Sequence, residues 1–167
     1  MATVRIERAT AADVPDILAF IQGLAEYERL LDNVVATEER LRDSLFGARP
    51  AAEVVFACAG DERVGFALFF ETYSTFLAQR GLYLEDLFVK PEHRGQGYGK
   101  ALLAHLARIA LDRGCGRFEW AVLDWNAPSI GFYKSLGARP MDEWTTFRMT
   151  GDALEALARL DPASQRS

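Results

Sequence analysis

Apolar and polar residues alternate along "TVRIERA", the signature of a strand with one face buried. From Thr10 the period lengthens. In "TAADVPDILAFIQGLAEYERL", Ile17, Ile21 and Leu24 fall on one helical face, with Thr10 or Asp13 near the start. "TEERLRDSLFG" predicts a second helix, with Thr37 and Arg40 at capping-box spacing (but no Glu there) and Gly47 closing it. "EVVFACA" and "RVGFALFFETY" read as strands around the short connection "GDE", and "LYLEDLFV" as another. Leu102, Leu103, Leu106, Ile109 and Ala110 then mark an amphipathic helix ending at Gly114. "RFEWAVL" predicts a strand, and "NAPSIGFYKSLG" a compact helix capped by Asn126, with Pro128 in its first turn and Gly137 at its end. "WTTFRMT" predicts a last strand, followed by a weak helix in "GDALEALARL" and a polar tail over residues 161–167. This order predicts a mixed α/β domain over residues 3–160, and not a regular doubly wound one.

Composition agrees with a single globular domain. The 167 residues are 50% hydrophobic, enough length and apolar content for a core. No apolar run approaches the roughly 20 residues that span a bilayer, and "MATVRIERAT" has no signal-peptide core, so the cytoplasm is the expected compartment. Nineteen basic residues against 24 acidic ones give a net charge of −5, with no basic run, so nucleic acid is not an expected partner. The acids gather in "AEYERLLD", "YLED" and "MDEW", which suits a small cationic partner, although solvated surface accounts for most acids in a chain like this. Cys58 and Cys115 make no disulfide framework, and His93 and His105 lack the spaced partners of a zinc site; no metal is expected.

The chemistry concentrates in "FVKPEHRGQGYGKALL". A Walker A loop needs glycine and Ser or Thr where this chain has Arg94 and Ala101. A dinucleotide fingerprint needs glycine at Leu102 or at Lys100, depending on where it starts. What remains is Arg94-x-x-Gly97-x-Gly99, after a strand and opening a helix. Glycines let the backbone approach an anion, and the helix start adds unsatisfied N–H donors and partial positive charge. Arg94, Gly95, Gln96, Gly97, Tyr98, Gly99 and Lys100 are therefore the candidate phosphate cradle.

That loop resembles the acetyl-CoA pyrophosphate loop of the GNAT superfamily of N-acetyltransferases. Together with "RIERATAADVPDILAFIQGLAEYE", "YLED" and "VLDWNAPSIGFYKSLGA" it resembles the spermidine/spermine (diamine) N-acetyltransferases, over roughly residues 4–150. The resemblance implies a single-domain GNAT fold: a mixed, mostly antiparallel twisted sheet with a splayed central strand pair and flanking helices. It also implies acetyl-CoA as cosubstrate, a homodimer, and direct transfer to a primary amine of a small polyamine or diamine. Leu87, Phe88 and Val89 would run along the pantetheine arm, and Asn126, Pro128 and Ser129 would contact the cofactor near the thioester. Glu85 would bind the amine and help draw off its proton through water, while Tyr133 would protonate the departing thiolate. Tyr27, Glu28, Glu119, Trp120 and Asp142 would line the substrate end.

The chemistry asks for such groups. An alkyl amine with a pKa of about 10.4 arrives protonated and must lose a proton before it attacks the thioester. Plain alternation sets Glu85 and Asp86 on opposite faces of their strand. The chain also departs from the vertebrate polyamine enzymes: "GDER" is shorter, "RPMDEW" carries fewer acids, and an acidic C-terminus is missing. These departures bring in an alternative substrate, an amino acid with a side-chain amine such as thialysine, lysine or ornithine. A non-catalytic acyl-CoA sensor is a remoter alternative, because mere binding would require neither Glu85 nor Tyr133.

Overall fold

The computed structural model describes residues 3–165. It divides into two compact units, one ending at Leu123 and the other beginning at Asp124. The first unit runs β1 (Arg5–Arg8), α1 (Val14–Tyr27), α2 (Glu38–Phe46), β2 (Glu53–Ala59), β3 (Glu62–Ser74), β4 (Gln79–Val89), α3 (Tyr98–Asp112) and β5 (Arg117–Trp120). The strands form one sheet in the order β1-β2-β3-β4-β5, antiparallel except for the parallel pair of β4 and β5.

Each face of this sheet has its own helical cover. On one face, Ile17 and Phe20 of α1 and Leu41 and Leu45 of α2 pack over Phe56, Phe66 and Phe88. Phe20 stacks on Phe66 with centroids 5.3 Å apart and meets Phe88 edge-on at 6.3 Å. Gly23 allows this approach, since a Cβ there would lie 3.0 Å from the Phe88 ring. On the other face, Leu102, Leu103, Leu106 and Ala110 form the buried stripe of α3.

Charged clamps fix the ends of these helices. The Thr10 N–H donates to Asp13 Oδ2 at 2.7 Å, closing the turn that leads into α1. The Arg63 guanidinium holds Glu7, Asp13 and Asp16 at 2.9, 2.6 and 2.8 Å, tying the start of α1 to β1 and β3. Thr37 caps α2 as its spacing predicts, accepting the Arg40 N–H at 3.2 Å. Beyond α3, Arg113 reaches Glu53 at 2.7 Å and Glu71 at 3.1 Å.

β4 is not a regular strand. Leu84 pairs with Phe69 and Asp86 with Leu68, which leaves Glu85 as the extra residue of a β-bulge. Before the bulge, Tyr83 lies against Phe70, with ring centroids 5.2 Å apart, on the α1 face; Leu82 and Leu84 therefore face α3. After the bulge, Phe88 meets Phe20 of α1, while Val89 lies beside Leu102 of α3 near Gly65. Even-numbered positions thus change faces at Glu85. Asp86 and Phe88 turn toward α1, and Glu85 shares the Asp86 face as the doubled residue of the bulge. The expectation that Glu85 and Asp86 point to opposite faces is overturned for this reason.

The second unit contains α4 (Ala127–Ser135) and α5 (Gly151–Ala158). Asn126 caps α4 as expected: the Ser129 N–H donates to its Oδ1 at 3.3 Å, Pro128 sits in the first turn, and Gly137 follows the end at φ 92°. Two strand expectations differ from the structure. The strand in "RFEWAVL" stops at Trp120, where pairing with β4 ends. "WTTFRMT" forms no strand, because a strand needs a ladder partner and among the described residues no backbone hydrogen bond runs along Thr145–Met149. The polar tail contains a short 3-10 turn, Pro162–Gln165; Arg166 and Ser167 lie outside the described residues.

Candidate active site

The site in the first unit is built around β4. β5 pairs with it only from Gly81 to Leu84, so the strand runs on to Val89 with the edge away from β3 open. This is the splayed central pair. The Lys90 N–H donates to Val64 O at 2.8 Å, so Lys90 and Phe88 direct their backbone groups toward β3. By alternation Leu87 and Val89 direct theirs to the open edge, where an extended ligand could bind as a strand would. The Phe88 side chain is buried in the core, which leaves that residue no side-chain role toward a cofactor.

After Val89 a short turn, Pro91–His93, leads to the glycine loop. Gly95 has φ 76° and Gly97 φ 89°, left-handed values that side chains rarely adopt. Gly97 is the N-cap of α3 and has no side chain with which to cap it, and the first intrahelical bond is Ala101 N–H to Gly97 O at 2.9 Å. The N–H groups of Tyr98, Gly99 and Lys100 therefore precede the helical ladder and have no carbonyl within the helix to reach. Lys100 and Gln96 are exposed beside them, whereas the Tyr98 side chain is buried, so Tyr98 can serve a ligand only through its backbone. Arg94 donates from Nε to Val89 O at 3.0 Å and lays its guanidinium over Tyr27 at 4.6 Å and Phe88 at 5.4 Å. An anion at the start of α3 would find backbone donors and positive charge together.

The bulge gathers acids. Asp86 is largely buried; burial first, then the Glu85 and Glu28 charges, push its carboxyl from the ordinary 3.8 up to about 6. Glu28, at the C-terminal end of α1, is itself raised by burial. Glu119 pairs across with Tyr83, whose phenol is raised by burial and by the Glu85 and Glu119 charges. Glu28 and Glu85 thus act on Asp86, and Glu85 and Glu119 on Tyr83, around the bulge of β4. Sequence reasoning had Glu85, Glu28 and Glu119; it missed Asp86 as a site residue, because the bulge that turns it toward Glu28 leaves no mark in the hydrophobic pattern. Trp120 packs edge-on against Phe118 with centroids 5.0 Å apart. Tyr27, Phe20, Phe88, Lys90 and Arg94 also line a groove of about 800 Å³ along α1.

In the second unit, Asn126, Pro128 and Ser129 occupy the capped start of α4, and Tyr133 follows Ser129 by one helical turn. Tyr133 is half-buried, its ring 5.8 Å from that of Phe132. Asp142 lies beyond the helix, exposed and outside regular structure. Among the described residues one group of metal-ligand type, Glu62, Glu92 and His93, comes together, but the Lys90 ammonium already holds Glu62 at 3.1 Å.

A sheet opened at β4 and a glycine-capped helix directly after it define a class. Residues 20–138 match the Acetyltransferase (GNAT) family, and the chain belongs to it. The fold is the GNAT fold, and the protein is an N-acetyltransferase; acetyl-CoA is the acetyl donor in that family. The chain is 44% identical to the thialysine N-epsilon-acetyltransferase of Sus scrofa, covering 95% of this chain and 99% of the relative. It is 35% identical to an L-ornithine N5-acetyltransferase of Arabidopsis thaliana, covering 94% and 89%. Among solved structures, an integron cassette protein from the mobile metagenome of V. cholerae superposes with a TM-score of 0.79 at 30% identity, covering 95% and 99%.

Proposed function

We propose that residues 3–160 form one catalytic domain that transfers acetyl directly from acetyl-CoA to the terminal primary amine of a small diamine or polyamine. The observation that carries this reading is the group of carboxylates, Glu28, Glu85, Asp86 and Glu119, beside the open edge of β4. Acetyl-CoA, when bound, supplies the activated thioester. Leu87 and Val89 receive its pantetheine arm on the open edge, and the N–H groups from Gly95 to Lys100 hold its pyrophosphate. The acids draw in the ammonium, and Glu85 takes its proton through a water molecule so that the nitrogen can attack. Tyr133 donates a hydrogen bond or proton to the leaving sulfur; a thiol near 8.5 and a phenol near 10 make complete transfer unnecessary. Asn126, Pro128 and Ser129 contact the cofactor near the thioester, and Tyr27, Trp120 and Asp142 complete the substrate end. The enzyme works in the cytoplasm as a homodimer.

A second reading has support of its own. Arg94, stacked on Tyr27 next to Glu28, offers a partner for an α-carboxylate, and relatives of this chain carry the names of thialysine and ornithine acetyltransferases. The acceptor is then the side-chain amine of such an amino acid. Steady-state kinetics on putrescine, spermidine, thialysine and ornithine, with wild type and Glu28→Gln, separate the two. The polyamine reading expects spermidine to be a good substrate whose KM rises in Glu28→Gln. Strong preference for thialysine with an unchanged spermidine KM replaces it with the amino-acid reading.

A further inference from the structure

Arg94 engages groups that both substrates need. Its Nε donates to Val89 O at 3.0 Å, and that carbonyl belongs to the open edge of β4 on which the pantetheine arm would lie. Its guanidinium rests 4.6 Å from the ring centroid of Tyr27, within cation–π reach, and Tyr27 stands beside Glu28 at the end of α1. One face of the Tyr27 ring is thus taken by a cation of the chain itself, in the manner of a substrate ammonium. These contacts are exchangeable ones. Arg63 is held by three carboxylates and Arg113 by two, whereas among the described residues no carboxylate pairs with Arg94. The side chain is exposed and borders the groove of about 800 Å³ along α1, which gives it room to turn. It also stands at the entrance of the glycine loop, directly before Gly95 and the start of α3.

We infer that Arg94 is a positioning residue that couples the two substrates: it covers Tyr27 as an internal ammonium mimic and leaves the ring when the pyrophosphate of acetyl-CoA offers it a stronger partner. The inference rests on the reading above, in which the loop holds the pyrophosphate and Tyr27 belongs to the acceptor end. A guanidinium makes paired, charge-assisted bonds to a phosphate, each roughly twice as strong as a bond between neutral groups. Arg94 therefore gives up Val89 O, and that carbonyl becomes available to the pantetheine arm. The ring of Tyr27 and the Glu28 carboxylate beside it are then open to the ammonium of the amine. Coupling of this kind is reciprocal, so each substrate tightens the other by the same factor. Direct attraction between an anionic cofactor and a cationic amine has the same sign, but it does not require Arg94.

Calorimetry with spermidine and with CoA, which carries no acetyl group and so permits no turnover, tests this in wild type, Arg94→Gln and Tyr27→Leu. In wild type, saturating CoA should tighten spermidine binding by about 10-fold or more, and spermidine should tighten CoA equally; this reciprocal measurement needs no variant. In Arg94→Gln, spermidine should bind the CoA-free protein more tightly than it binds wild type, and the coupling should shrink to about 2-fold or less. Such a gain in affinity is not produced by structural damage. CoA itself should bind this variant more weakly. Tyr27→Leu keeps Arg94 and its carbonyl bond but removes the ring, so spermidine should bind weakly with or without CoA and the coupling should again be lost. Coupling that persists in Arg94→Gln, or a spermidine affinity of that CoA-free variant no better than wild type, overturns the inference and leaves the acceptor reading in place. Spermidine that fails to bind even CoA-loaded wild type overturns the diamine reading and the inference with it.

Discussion

Asp86→Asn removes one charge at nearly constant shape, and the structure fixes both the sign and the size of its effect. The Asp86 carboxyl is raised from 3.8 to about 6, by burial first and then by Glu85 and Glu28. A raised acid binds its proton more tightly in the folded chain than in the unfolded one. Folding therefore loses stability as pH climbs between those two values, and the whole cost is present above about 6. That displacement corresponds to about 3 kcal/mol at neutral pH. Asp86→Asn should then stabilise the protein by about 2–3 kcal/mol near pH 7.5, a rise in Tm of about 4–12 °C for a chain of this size. Below the ordinary carboxyl value the two proteins should converge, since both sides are then neutral. Urea unfolding at about pH 7.5 and at about pH 4 measures the difference directly, provided that both proteins fold reversibly. The gain should come with lost turnover on a cationic amine, as stability retained at the expense of function. In wild type, kcat/KM should rise with pH through about 6, and in Asp86→Asn that limb should flatten. Equal stability of the two proteins near pH 7.5 would refute the reading of Asp86 as a buried, charge-crowded acid.

The other predictions concern the loop, the second unit and a turn. Gly97→Val forces a branched side chain into φ 89° at the cap of α3, and acetyl-CoA affinity by calorimetry should fall by at least about 10-fold; unchanged affinity counts against the loop as a phosphate cradle. Tyr133→Phe should lower kcat by about 10²- to 10⁴-fold with acetyl-CoA affinity nearly intact, and an unaltered kcat returns Tyr133 to a packing role. Ala78 adopts φ 51° in the β3–β4 turn, so Ala78→Gly should relieve strain and raise stability by up to about 1 kcal/mol in urea unfolding; a loss of that size would show the turn to be unstrained.

What was legible in the sequence follows from what its periodicities encode. The helical stripes of α1 and α3 each bury against one sheet face, so Ile17 and Leu106 announce both the helix and its inward side. The glycines of the loop were legible because Gly95 and Gly97 need left-handed dihedrals that few other residues tolerate. The bulge was not, because both faces of β4 are covered by apolar helices. Leu82, Leu84 and Phe88 look like one continuous face whether or not the strand slips between them. Asp86 was misplaced for the same reason. Trp144–Thr150 carries strand propensity and forms no strand, because propensity names an element without supplying the neighbour that a ladder requires.

The bulge at Glu85 has a consequence for how this strand can vary. It works as a one-residue frameshift in three dimensions: upstream of it odd positions look toward α1, downstream even positions do. The two halves of β4 are out of phase, held so by a single uncounted residue. Deleting that residue would close the bulge, making Leu84 opposite Phe69 and Asp86 opposite Leu68 successive pairs, so Phe88 would keep its packing with Phe20. What would go is the local kink and the second carboxylate beside Asp86. Any chimera joined within β4 must therefore carry the extra residue to keep that kink, even where it is free to change the side chains around it.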